Sequence, residues 1–224
     1  MNTLAIKLVL SVFCVMPAAT LAQENNPCGP IRPKSPDFPW DYRIKTHHQP
    51  LVERAHFTAQ VEMLIRGQSG QALEPDLDYT LNQIPNHHRA LISLQRLGER
   101  RKSDHLSGMK YPIECYFDRA VRFMPDDLVA RQLYAAYLHS KNRDDIAIYQ
   151  LSIVEKMAED NPLTHYNVGL LYVQMKRYDD AVRQALRAEE LGFHQTGLKD
   201  RLIELGHWPA PPSSAASSAS SIPQ

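Results

Sequence analysis

Two helix-start signals recur in register in the second half of this chain, at Pro125-Asp126-Asp127 and at Asp160-Asn161-Pro162. Each sets an acidic or amide side chain where it can cap free backbone amides, and proline is tolerated in a first helical turn. Apolar residues then recur with helical spacing over 128–140 and 163–175, and after short polar turns over 144–159 and 179–190. Each signal therefore opens a pair of antiparallel helices. With one unit begun at Leu128 and the next at Pro162, the period is 34 residues. A helical pair of that length cannot bury its apolar face alone, so the period demands stacking.

Side chains at matching places carry the pattern further. In the unit beginning at Pro162, Val168, Gly169, Tyr172, Tyr178, Ala181 and Ala188 hold the seventh, eighth, eleventh, seventeenth, twentieth and twenty-seventh places. In the preceding unit Tyr134, Ala135, Leu138 and Ala147 hold the seventh, eighth, eleventh and twentieth. Small residues at the eighth and twentieth places let two helices approach closely, and the tyrosines fill the groove beside that contact. These residues resemble the tetratricopeptide-repeat family. The resemblance implies an all-α fold in which antiparallel hairpins stack as a short right-handed solenoid. It also implies a protein or peptide segment held on the concave surface formed by the first helix of each pair.

Upstream the pattern is looser. Phe117, Ala120 and Pro125 fit the end of a repeat whose second helix covers 112–124, and Pro85 precedes a first helix over 88–99. Six extra residues separate those helices, within 100–111. A further hairpin is expected over 51–66 and 75–84, but Val61 takes the usual small eighth place and Leu73 the twentieth. Residues 195–205 read as a helix shielding the last apolar face.

The flanks have other compositions. Residues 1–22 read as a cleaved export signal: Lys7, an apolar run over 8–16, Pro17, and small residues ending at Ala22. That run is too short for a stable transmembrane helix. Residues 23–49, with Pro27, Pro30, Pro33, Pro36 and Pro39, are expected as an extended arm. Phe38, Trp40, Tyr42 and Ile44 are apolar enough to hold the arm across the helical body of residues 50–207. The Ser/Ala/Pro-rich end, 208–224, has almost nothing to bury and is expected as a disordered tail. The expected product is exported, in a periplasm or secreted, with a role in an envelope complex open. Export leaves Cys28 and Cys115 two fates: a bridge tethering the arm, or a small buried Cys115 with a solvated Cys28.

Charge narrows the partners. Balanced totals of 25 basic and 25 acidic residues give no reason to expect a nucleic acid. On the family's second, fifth, ninth and twelfth places, the inner surface would present Thr58, Glu62, Ile65, Arg89, Ile92, Arg96, Glu99, Gln132, Ala136 and His139. Tyr166, Leu170, Val173 and Gln174 would continue it. Of these, Glu62, Arg89, Ile92, Arg96, Gln132, His139, Tyr166, Leu170 and Val173 are the peptide-contact candidates. Arginine forks onto carboxylates and an aromatic ring buries area with little ordering, which suits an acidic or C-terminal peptide.

A second cluster gathers His87, His88 and Arg89 at a helix start, with His56 on the preceding hairpin. It has three readings: an anion or peptide site, a metal site, or a satisfied helix cap with polar surface. Glu53, His56, Glu62, His87 and Asp104 could act as acids or bases, but no nucleophile triad or phosphate-gripping glycine loop accompanies them. No cofactor is expected.

Overall fold

The computed structural model describes residues 26–31, 38–68 and 70–209. The expected signal, the middle of the arm and most of the tail lie outside them. Among the described residues the fold consists of ten helices: α1 (His48–His56), α2 (Ala59–Glu62), α3 (Glu74–Gln83), α4 (His88–Arg101), α5 (Ile113–Phe123), α6 (Leu128–Ser140), α7 (Asp144–Ala158), α8 (Pro162–Gln174), α9 (Tyr178–Glu190) and α10 (Gly197–Glu204). They stack as antiparallel hairpins in a solenoid of the tetratricopeptide type, with pairs α4/α5, α6/α7 and α8/α9.

The backbone repeats as the side chains do. The first helix of each pair opens with a side-chain cap: His87 accepts from Ala90, Asp127 from Ala130 and Asn161 from Thr164. Each closes with a left-handed residue, Lys102, Asn142 or Lys176, at φ 53°, 57° and 58°. The amide that follows each of them bonds back to the eleventh place, to the carbonyls of Gly98, Leu138 and Tyr172. Three units thus share one start and one stop. The loop that holds the six extra residues of the first is largely exposed and is pinned to the core by the buried Leu106 and Met109.

The core is continuous from Phe57 on α2's flank to Leu202 on α10. Its aromatic centre is Phe117, fully buried, with Tyr137 stacked at 4.8 Å. Small residues set the helix spacing where the period placed them: Ala135, Ala147 and Ala181 have no exposed surface. At Gly169 an added Cβ would lie 2.4 Å from a Leu198 methyl, so α10 sits directly on that glycine. The first unit lacks this device at its eighth place, Gln95. It uses Gly98 instead, where a Cβ would lie 2.3 Å from Ile113 and 3.1 Å from the Ser103 carbonyl.

One expected element differs. The helical pattern over 51–66 is broken at Phe57 and Thr58 into α1 and α2, because Phe57 leaves the helical track to be buried. Its ring lies under the Arg89 guanidinium at 5.5 Å and edge-on to His87 at 4.7 Å. Burying that ring outweighs one broken turn of helix.

The arm lies across the body. Cys28 is disulfide-bonded to Cys115 of α5, which settles the pairing left open by the sequence. Arg119 Nη1 donates to the carbonyls of Cys28 (3.0 Å) and Pro30 (2.9 Å), and Arg122 Nη2 to that of Gly29 (3.1 Å). Farther on, Trp40 donates from its amide to Gln83 O, and its ring stacks on His48 at 4.4 Å. No helix among the described residues is long and apolar enough to cross a membrane.

Candidate functional site

The first helices form a row of their own. Contacts run from α4 to α6, α6 to α8 and α8 to α10, whereas α5, α7 and α9 meet the next unit through its first helix. The row with direct neighbour contacts lies on the inside of a curved stack, so its free face is the candidate binding surface.

That face has two unlike ends. At the α2–α4 end, Arg89 Nε donates to Glu62 Oε1 at 2.7 Å and Nη2 donates to Oε2, a forked ion pair. The Arg89 hydrogen bond holds the Glu62 pKa below its ordinary value, and that of Arg89 is raised in turn. The Tyr42 ring of the arm lies tilted against His87 at 4.2 Å and interacts electrostatically with Arg89. The two charges expected to meet a ligand already meet each other. Arg96 is exposed on this helix face beside the half-buried Ile92, with Arg100, also exposed, one turn on. Thr58 accepts from Gln68 Nε2, and Ile65 is exposed.

Toward α8 the surface is apolar. Val129 and Leu163, both at the second place of their units, are 46% and 52% exposed, and Leu170 and Val173 are half-buried. Tyr166 packs on Phe193 at 4.8 Å, so its ring is shared between the surface and the α9–α10 turn. Gln132 is buried, and His139 Nδ1 is bonded to Asp144 Oδ1 at 2.6 Å, so both serve the fold more than the surface.

The histidine cluster does not converge. His56 Nδ1 pairs with Asp76 (2.9 Å), His87 Nε2 with Glu53 (3.1 Å) and His88 Nε2 with Asp127 (2.8 Å). Each ring is committed to a different carboxylate, and among the described residues no group of three His, Cys, Asp or Glu is placed to hold a metal ion. The described residues thus lend the metal reading of His56, His87 and His88 no support. The anion reading loses its donors as well: His87 Nδ1 accepts the Ala90 amide and Arg89 is spent on Glu62. His87 has no exposed surface, so it cannot reach a substrate as a base, and burial, opposed by Glu53, holds its pKa down at about 4.

No family model and no curated protein matches this chain.

What the sequence did not single out is the knot beneath the arm. Asn86, fully buried, donates to Asp41 Oδ1 and Asp127 Oδ2, both at 2.7 Å, and accepts from the Tyr42 amide at 3.0 Å. Arg43 forks onto Asp41 and reaches Asp126 at 3.1 Å. Burial acts to raise the Asp41 pKa, but hydrogen bonds from Arg43 and Asn86 outweigh it and hold the carboxyl at about 2. The knot ties the arm to the starts of α4 and α6. Asp127 was legible as a cap; its partners, some forty residues away and farther, were not.

Proposed function

We propose that this chain is an exported adaptor of the tetratricopeptide type that holds a protein or peptide segment along the row α4, α6 and α8. The observation that carries the reading is the uncovered apolar line on that row, Val129 and Leu163 flanked by Ile92, Leu170 and Val173, with Arg96 exposed at one end. Scattered single apolar residues are ordinary on a protein surface, but a line along one face of stacked helices suits an elongated ligand. Arg96 is free to meet a carboxylate of that ligand, whereas Arg89 is not. Export is supported by the apolar leader and by the Cys28–Cys115 bridge, since disulfides persist outside reducing cytosol.

Photo-crosslinking tests the surface. A benzophenone side chain at position 163 is expected to trap a discrete partner in the native envelope, and one at the exposed position 149 of α7 is not. Arg96→Glu and Leu163→Glu should each reduce the adduct while leaving helical content unchanged. Equal adducts from both positions, or full recovery in both folded variants, would remove this row as the binding surface.

A further inference from the structure

Among the described residues the two most exposed aliphatic side chains are Met63 and Ile65, 63% and 61% open, at the start of the turn that links α2 to α3. They flank Leu64, which is buried and takes a left-handed φ of 58°. The turn is held from below. Leu64 lies in the core, its carbonyl accepts from Arg100 Nη1 at 2.7 Å, and the Ile65 amide bonds back to Gln60 O at 2.8 Å. Met63 and Ile65 therefore project from a fixed base, and little conformational freedom remains to be lost when they are covered.

The pair stands among cations. Arg66 donates to Gln60 Oε1, Arg100 to the Leu64 carbonyl, and Lys102 lies just past the end of α4; all three are exposed, and none forms an ion pair among the described residues. The carboxylates of this edge are mostly spent, Glu62 on Arg89 and the buried Glu74 on Arg101 at 3.5 Å. Glu99, exposed and bonded to Gln95 Nε2 at 2.9 Å, stands against them. Charges balance over the whole chain, but cations prevail here. Basic residues in a last helical turn complement the helix dipole, which accounts for Arg100 and Lys102. It accounts for neither Arg66 nor the two apolar side chains.

Two side chains on a turn offer no groove, and they cover far less than the roughly 800 Å2 that each partner buries in a stable protein interface. A lipid headgroup layer demands neither a matching shape nor that area. Apolar side chains enter its acyl boundary while the cations around them meet phosphates. We infer that the α2–α3 turn is a peripheral contact for an anionic lipid surface, with Met63 and Ile65 inserted and Arg66, Arg100 and Lys102 on the phosphates. This contact adjoins the proposed peptide row at Arg96 but uses none of that row's residues, and either can fail without the other.

Sedimentation of the exported, disulfide-bonded protein with vesicles tests the contact, using phosphatidylglycerol and phosphatidylcholine in equal parts against phosphatidylcholine alone. Binding to the first and not to the second is expected, and added salt should weaken it because exposed charges are screened. Met63→Ser with Ile65→Ser should lower the partition by about tenfold or more. Arg66→Gln with Lys102→Gln should lower it by about twentyfold, on the order of fivefold for each charge. All four side chains are exposed, so unfolding midpoints should stay unchanged. Tyr149→Ser on α7, at a side chain 61% exposed, is the control whose partition should not move. Equal sedimentation with both vesicles, no sedimentation, or an unaltered partition in either double variant would each overturn the assignment. Loss of a protein complex, rather than of vesicle binding, on changing Met63 and Ile65 would overturn it too and give the pair to a protein partner.

Discussion

Asn86 carries more of this fold than its size suggests. Its carboxamide separates two buried carboxylates, Asp41 and Asp127, and donates to both while accepting the Tyr42 amide. Replacing it with alanine takes a buried donor from each acid and the acceptor from the Tyr42 amide, although Asp41 keeps Arg43 and Asp127 keeps His88 and the Ala130 amide, so Asn86→Ala should cost about 2 to 4 kcal/mol in denaturant unfolding. A loss below half that range would show that water takes over its role. The neighbouring His87 sets a pH dependence whose sign can be worked out. Burial holds the folded ring at about 4, below the ordinary 6.5. Above pH 6.5 neither state binds the proton; below it the unfolded chain takes up a proton that the folded chain refuses until about pH 4. Stability should therefore be full above about pH 6.5 and fall toward pH 4, by at most about 1.4 kcal/mol per pH unit from this one group. Urea midpoints collected across that window check it, and His87→Asn, which keeps a capping acceptor, should flatten the slope. The sequence marked 86–89 as a helix start, and that reading holds. It could not say which carboxylate each histidine would meet, because Glu53, Asp76 and Asp127 come from three different elements.

At the scale of elements, the arm is held by the disulfide to α5, by Trp40 on Gln83 and His48, and by the knot at the starts of α4 and α6. The Cys28–Cys115 bridge closes a loop with a sequence separation of 87 residues. In the chain-entropy account, opening a loop of that length costs about 4.6 kcal/mol. A Cys28→Ser, Cys115→Ser protein should thus unfold at markedly lower denaturant while keeping its helical signal, since the helices pack without the bridge. An unchanged midpoint would mean that Trp40 and the knot fix the arm without the bridge. At the other end, Leu198 and Leu202 of α10 are buried on the last pair, with Leu198 against Gly169. Leu198→Glu forces a carboxylate into that contact and should release α10, seen as new protease cleavage near residue 197 with the upstream helices intact. The α10 helix was legible in the sequence as an apolar cap. The break between α1 and α2 was not, because residues 51–66 keep a helical pattern and only the burial of Phe57 under Arg89 interrupts it.

For the whole molecule, packing is densest within α6/α7 and α8/α9, whereas α5 meets α6 more closely than it meets its own partner α4, and the arm crosses these first two units. A stack of this kind opens unit by unit, and ties that span units raise the cost locally. Native-state hydrogen exchange should show the greatest protection in α4, α5 and α6, with α8 and α9 opening at lower free energy. A single uniform value for all helices would rule out that gradient. Much of this architecture was written locally. The 34-residue period, the caps at Asp127 and Asn161, and the small residues at Ala135, Ala147, Gly169 and Ala181 predict the pairs and their stacking, because capping and helical periodicity act over a few residues. Only the tertiary structure decided which of the expected surface residues stay free. Glu62 and Arg89 neutralise one another, His139 turns to Asp144, and the arm reaches Asn86 and α5, leaving Arg96, Val129 and Leu163 uncovered. Apart from His139 and Asp144, five residues apart, those outcomes depend on groups brought together from 27 residues (Glu62 and Arg89) to 87 residues (Cys28 and Cys115) along the chain, a separation over which sequence spacing carries no geometric information.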